Sequence, residues 1–478
     1  MVTVTARPDR ASTRRRSATL NRPLALLVAG TFFMENLDGT IIATAAPAIA
    51  GDLGVEPVDV NLAMTAYLVT IAVGIPVSGW LTDRFGGRRI LVTAIAVFTV
   101  ASLLCALSVN LPMLVGMRIL QGVGGALMVP VGRLVVLRVT DKRDLLDAVA
   151  YLTWPALVAP VLAPALGGWV TTVASWHWIF LINLPLGVVA LGVAARIVPA
   201  LDGRAVPPLD WTGFVLCAAT LAALLIGLEL LGPQQVDGAL VAAAVLVGAV
   251  ALAVVTGAWF RRAAHPLLRF NALQQQPFRV SNVGGGVYRM VISAVPFLLP
   301  LLFQVGFGWS PVRAGLLVLL LFLGNVAIKP ATSPLIRRFG FRSVLIGSIV
   351  GGLAVLVGLA LIHPGTPLPL TAGLLVLSGV FRSIGFSAYN SLQFADVDQS
   401  EMTDANTLAS TLQQVAVGLG VALGAVVLRV VDLVAGPGAL GPVLPYAIAF
   451  GVLAALMVHP LVEALVLQRA AGDEVAGR

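Results

Sequence analysis

Apolar residues run along this chain in long blocks broken by short polar punctuation. Fourteen blocks can be marked, at 23–50, 58–80, 89–109, 112–137, 145–171, 176–198, 211–232, 238–259, 280–305, 312–332, 342–362, 367–391, 404–432 and 443–467. Blocks near 20 residues predict helices that cross a ~30 Å hydrocarbon layer. Membrane strands would instead show about ten residues of alternating polarity. Lipid offers the backbone no hydrogen-bond partners, which also favours helices. The expected fold class is therefore all-α and polytopic, with fourteen transmembrane helices. The even count places both termini on one side.

Composition agrees: hydrophobic residues make up 58% of the chain and charged residues 11%, against about 25% charged in soluble domains. The net charge of +8 does not point to nucleic acid, because the basic residues sit in short clusters between apolar blocks. Arg7, Arg10, Arg14, Arg15, Arg16 and Arg22 precede the first block. Arg84, Arg88 and Arg89, then Arg138, Lys142 and Arg143, then Arg337, Arg338 and Arg342 occupy alternate connections. The opposite connections carry Asp52, Glu56 and Asp59, or His363-Pro364-Gly365. Positive loops face the cytoplasm, so a cell (inner) membrane location with cytoplasmic termini is expected. The acidic loop 394–404 is an exception that leaves the topology intact, since acids weigh little in that rule. Cys105 and Cys217 lie inside apolar blocks, which argues against a disulfide framework or a cysteine metal site. The basic N-terminus before an apolar block mimics a signal peptide, but the block runs too long and reads as an uncleaved helix.

An internal repeat divides the chain. Gly79 to Arg88 follows the second block, and Ser333 to Arg342 follows the tenth, 254 positions later. Arg84, Phe85, Gly86 and Arg88 align with Arg338, Phe339, Gly340 and Arg342; Arg337 stands where the first copy has Asp83. Two six-helix bundles separated by two inserted helices explain the offset. The expected organisation is a tail over 1–22, bundles over 23–198 and 280–467, the inserted pair over 199–260, a linker over 261–279 near the headgroups, and a tail over 468–478. Repeated halves with a site between them are a transporter architecture.

Several charges lie deep in the blocks. Asp38 sits about 22 Å along the first helix. An acid at that depth is a functional hypothesis by default. Desolvation favours its neutral form and a nearby arginine its charged form. Glu35, three residues earlier, is expected to share its face and pocket. Arg118 in the fourth helix is the expected partner, as a proton-sensitive switch or as a static tie between helices. Gly79, Gly86 and Gly87 permit a tight turn, with Asp83 expected to accept from Arg84, Arg88 or a helix N-terminus. This loop reads as a latch or as a membrane-surface anchor. The fifth helix carries Pro155, Pro160 and Pro164 and a small stripe at Ala159, Ala163 and Gly167, reading as a hinge or as plain helix packing. In the second half, Arg289 and Arg382 lie deep with no acid in their helices, so they pair across a cavity or bind an anion. Lys329 reads as snorkelling. Gln121, Gln304, Tyr389 and Asn390 are further polar candidates for the substrate cavity.

Four motifs resemble the fourteen-helix drug:proton antiporters of the major facilitator superfamily, the EmrB/QacA type, with the MdtD branch most similar. They are Leu37-Asp38-Gly39-Thr40-Ile41-Ile42 with Pro47, Gly79 to Arg89, Arg118 to Ala126, and Ala163-Pro164-Ala165-Leu166-Gly167-Gly168. The stretch Ser175 to Pro185 adds a signature of that branch. Ala163 departs from the usual glycine. The resemblance covers nearly the whole chain. It implies a major facilitator fold, proton coupling through Asp38 and Arg118, and gating through Gly79, Asp83, Arg84, Gly86, Arg88, Pro164, Gly167 and Gly168; Glu35, which is not part of the common pattern, joins the coupling candidates and Pro160 the gating candidates from their positions alone. It implies a monomeric antiporter that exports drugs or small amphiphiles, with protons, a small-molecule substrate and lipids as partners. An exporter of an anionic metabolite stays open, and a non-transporting receptor is disfavoured by the intact motifs. Enzymatic activity, cofactors and metals are not expected. No phosphate-binding Gly-x-x-x-x-Gly-Lys loop or channel-type charge ring is present.

Overall fold

The computed structural model describes residues 21–200, 203–230, 239–436 and 439–477. The tail expected over 1–22 lies outside the described residues up to residue 20, as does the first residue of the block expected at 238–259. The described elements are helical. We label them α1 (Arg22–Leu53), α2 (Asn61–Phe85), α3 (Gly87–Ala106), α4 (Leu111–Val139), α5 (Leu145–Val173), α6 (Trp178–Ile197), α7 (Trp211–Glu229), α8 (Ala239–Arg262), α9 (Gln276–Gly306), α10 (Pro311–Ala327), α11 (Lys329–Leu361), α12 (Leu368–Leu392), α13 (Met402–Ala435) and α14 (Leu444–Val466). Among the described residues, thirteen stretches are long and apolar enough to cross a membrane, and α10 is a shorter apolar helix of 17 residues. The start of α1 and the end of α14 share a face, here the terminal face; the opposite side is the far face.

The start of α11 continues α10, and α11 then breaks at Gly340, where φ is 77° and ψ 160°. Gly86, its aligned position, takes φ 90° and ψ 140° between α2 and α3. Only glycine adopts this backbone freely, so the repeat is one of geometry as well as of letters. A second correspondence lies upstream. α2 tightens into a 3-10 turn at Ile75–Val77, around Pro76, and the α10–α11 junction falls at Ile328, beside Pro330. Proline removes a ladder donor in both places. The linker is shorter than expected, because α9 begins at Gln276 with Pro277 in its first turn.

Helices α1–α6 enclose two apolar clusters, one around Phe98, Tyr67 and Val135 and one around Ile41, Ala163 and Phe180. Helices α9–α14 enclose a third, around Phe303, Leu345 and Phe450. Close approach depends on small residues. A Cβ on Gly124 would lie 2.7 Å from the Phe98 nitrogen, and one on Gly420 would lie 2.2 Å from the Met290 carbonyl. The inserted helices pair on the flank. Cys217 and Leu221 of α7 pack on Ala72 of α2 with Val415 of α13 alongside, and Gly418 of α13 faces Leu225 and Leu228. Asp210 fastens the pair by capping α7 through the Gly213 N–H (2.8 Å) and accepting from Trp259 Nε1 (3.0 Å). Large apolar side chains such as Leu62, Val254 and Leu433 cover the exposed helix faces, as lipid contact requires.

The tightest site gives a test. A Cβ on Gly379 of α12 would sit 1.9 Å from the Leu321 carbonyl of α10, while one on Gly373 meets nothing within 4 Å. Gly379→Val is expected to cost about 1–3 kcal/mol by overpacking, and Gly373→Val little. Thermal melts of the purified variants in detergent check the difference.

Candidate functional site

Asp38 lies inside the first bundle with its carboxylate answered from two other helices, α4 and α6. Arg118 of α4 donates to Oδ2, forming a salt bridge with both side chains fully buried. Gln121 Nε2, one turn later on α4, donates to Oδ1 at 2.8 Å, and Asn183 Nδ2 of α6 donates to the same oxygen at 2.7 Å. Ser102 of α3 accepts from Gln121 at 2.7 Å. Arg118 also donates to Gln121 Oε1 (2.7 Å) and lies 3.9 Å over the Tyr67 ring. Charge-assisted bonds of this kind are the strong ones, and they hold the Asp38 carboxylate buried inside the bundle.

The cavity lies between the halves, with a volume near 330 Å³. The first half lines it largely with apolar groups such as Phe32, Ile71, Ile75 and Leu157, but also with Glu35 and Arg133. Glu35 has turned away from the Asp38 pocket it was expected to share. Its carboxylate accepts from Asn36 Nδ2 at 3.0 Å. The second half contributes Arg289, Arg382, Asn390, Asn325, Gln413 and Gln414. Arg289 donates to the Ser281 carbonyl (2.8 Å) and Asn390 Oδ1 (3.3 Å), and Arg382 to the Ile292 carbonyl (3.0 Å). Neither forms an ion pair with an acid among the described residues.

Hydrogen bonds that join the halves gather on the terminal side of this cavity. Arg133 donates to Asn406 Oδ1 (2.8 Å) and Ser410, and Asn406 Nδ2 donates to the Pro130 carbonyl (3.0 Å). Further out, Asp83 accepts from Arg138 (2.7 Å), Arg204 (2.5 Å) and Thr403 (3.1 Å). Arg138 also reaches Thr403. The partners expected for Asp83 are thus replaced. Arg84 is exposed, and Arg88 donates to the Ala195 carbonyl at the end of α6. Its repeat counterpart Arg342 donates to the Leu465 carbonyl at the end of α14 (2.7 Å). Gly79 is where α2 meets α13: a Cβ there would fall 2.2 Å from Thr407 Oγ1. The second motif makes its own crossing with reversed charge, through Arg337 and Asp147 of α5 at 3.0 Å.

Other expected positions divide. Pro160 lines the cavity and Gly167 packs on Thr44 and Ile41 of α1, whereas Pro164 is exposed and Gly168 has open space beside it. Gln121 belongs to the Asp38 network instead of the cavity. Gln304 sits exposed in the π-turn Leu302–Gly306 at the end of α9, away from the cavity. Tyr389 is buried against the Tyr288 ring, 5.4 Å between centroids, and is not a lining residue. Lys329 does not snorkel: it is buried and donates to Ser387 at 2.6 Å. Arg133, Asn325 and Asn183 were missed. All three are polar residues inside apolar blocks, a signal that depth counting finds.

Two helical bundles around a central cavity that holds buried charges, with an internal repeat and ties at one end, define a membrane transporter. The Major Facilitator Superfamily profile matches residues 28–421, and the chain belongs to that superfamily. A Klebsiella pneumoniae protein named for multidrug resistance, MdtD, is 37% identical over 408 residues, covering 84% of this chain and 85% of its own. The Haemophilus influenzae transport protein HsrA is 33% identical, covering 85% and 88%. A crystal structure of the human organic anion transporter MFSD10 shares the fold, with a TM-score of 0.66, 16% identity, and coverage of 93% of this chain and 99% of that one.

Removing one partner of a buried ion pair strands the other. Arg118→Met is expected to cost about 3–5 kcal/mol, and the double variant Asp38→Asn/Arg118→Met less than Arg118→Met alone. Thermal melts of the purified proteins compare them.

Proposed function

We propose that the chain is a proton-coupled exporter of amphiphilic small molecules that works by alternating access, with its terminal face in the cytoplasm. Alternate basic connections support that orientation, and the multidrug-resistance name of its MdtD relative supports the cargo. The observation that carries the coupling is Glu35, an acid at the wall of the substrate cavity one helical turn from the sealed Asp38–Arg118 pair. Protons from the far side reach Glu35, neutralise it and promote release of a bound amphiphile. The Asp38 network senses that change through α1, since two carboxylates on one turn disfavour joint ionisation. The Asp83 and Arg337 ties hold the cytoplasmic side shut in the outward-facing state and part when the cavity opens inward. The proton then leaves to the cytoplasm.

A second reading is favoured by Arg289 and Arg382, which face the cavity without an acid partner. Forked guanidinium donors suit a carboxylate, so an amphiphilic anion is the alternative cargo. Apolar walls on the first half suit the body of either compound.

In proteoliposomes with an imposed pH gradient, Glu35→Gln and Asp38→Asn are expected to abolish uphill transport of ethidium while leaving its binding measurable. Undiminished uphill transport by both variants would remove the coupling assignment. Arg289→Ala and Arg382→Ala are expected to impair octanoate export more than ethidium export under the anion reading, and both equally otherwise. Arg337→Asp is expected to slow transport by weakening the outward-facing state, and Asp147→Arg in the same chain to restore it. Transport by the single and double variants decides this.

A further inference from the structure

The repeat is broken at two positions where breaking it is costly. Ile71 and Ile75 of α2 line the central cavity. The 254-residue offset carries them onto Asn325 and Lys329. The fold accepts apolar residues at these places, as the first half demonstrates, so an amide and an amine are not needed for packing. Both are nonetheless buried. Lys329 is one of only two lysines in the chain, with Lys142. Burying a charge this deep without a partner costs free energy.

These residues stand between two cavities. Asn325 lines the central one. Lys329, one turn on, lines a second on the terminal side with Asp144 just before α5, Asp147 and Tyr151 of α5, and Arg22. α12 places Ser383 and Ser387 beside them, also one turn apart and buried. Lys329 Nζ donates to Ser387 Oγ at 2.6 Å, and Ser387 donates to the Ser383 carbonyl at 2.7 Å. The Asn325 amide and the Ser383 hydroxyl have no hydrogen-bond partner, although buried polar groups normally have one. No carboxylate lies within 4.0 Å of Lys329 among the described residues. Asp147 is engaged by Arg337 instead. A lysine ammonium here has a single acceptor for three N–H donors.

We propose that Lys329 is a second proton-binding site, reached from the central cavity past Asn325 and Ser383 and emptying into the terminal cavity beside Asp144 and Asp147. The amine takes a proton from the central cavity and passes it to water on the terminal side; no other bond changes. The site rests on the proton-coupled reading above and adds a carrier in the second half to Glu35 in the first. It also explains the amine. Arginine is permanently charged and cannot give up its proton, whereas a buried lysine exchanges one readily.

The test counts protons. Proteoliposomes containing pyranine are energised with a gradient of ethidium or, in parallel, octanoate, and protons moved per probe molecule are measured for the wild type, Glu35→Gln, Lys329→Gln, Lys329→Arg, Asn325→Ile and Ser387→Ala. All are first checked for monodispersity. Lys329→Gln and Lys329→Arg are both expected to lose about half of the proton count, with Asn325→Ile and Ser387→Ala slowing proton movement. A wild-type count in Lys329→Arg would overturn the proposal, because a fixed cation would then suffice. If Glu35→Gln loses protons while the Lys329 variants do not, the proton-coupled reading stands and this site falls. Probe movement by the wild type without protons would overturn both.

Discussion

A carboxylate in the middle of a membrane bundle has to be answered from several directions at once, and Asp38 is answered from α4 and α6, with α3 supporting one of the donors. Arg118 neutralises it, Gln121 and Asn183 fill its other oxygen, and Ser102 holds Gln121. The donors sit on α4 and α6 and their support on α3, so these helices and α1 cannot shift separately without leaving a charge stranded in a medium that punishes it. The first bundle is therefore fixed as one body around its acid. Glu35 lies outside the knot, on the face of α1 that the knot leaves free for the cavity.

The second bundle has no such knot. Its deep charges are cations held by backbone carbonyls and hydroxyls: Arg289 on Ser281 and Asn390, Arg382 on Ile292, Lys329 on Ser387. The halves share a geometry, down to the positive-φ glycines at 86 and 340 and the arginines that reach the last helix of each bundle. They do not share an electrostatic plan. The crossings between them follow the same division. Asp83 works from the first half as an acceptor and Arg337 from the second as a donor, so one fold element makes two ties of opposite sign.

Much of this was legible in the sequence because hydrocarbon is an unforgiving solvent. Block lengths yield the helices, and charges within blocks stand out; Asp38 and Arg118 emerge that way. Rotation about a helix axis was not legible. Three residues separate Glu35 from Asp38, about 60° around α1. That turn is enough to send one acid to the cavity and the other inward, and only the packing of α1 decides which. Gln121 was misplaced for the same reason. Lys329 was misread because the tenth span runs on into α11 past Ile328, which sets the lysine deeper than its block end suggested. Gln304 fell on a π-turn that no hydropathy pattern marks.

The inserted pair has a consequence for compounds that travel within the bilayer. Two lateral seams separate the halves, one between α2 and α13 and one between α5 and α10. α7 lies over the first, with Cys217 and Leu221 on Ala72 and Leu225 near Gly418; the second carries no inserted helix. A lipophilic molecule diffusing in the plane of the membrane therefore meets α7 before it meets the α2–α13 seam.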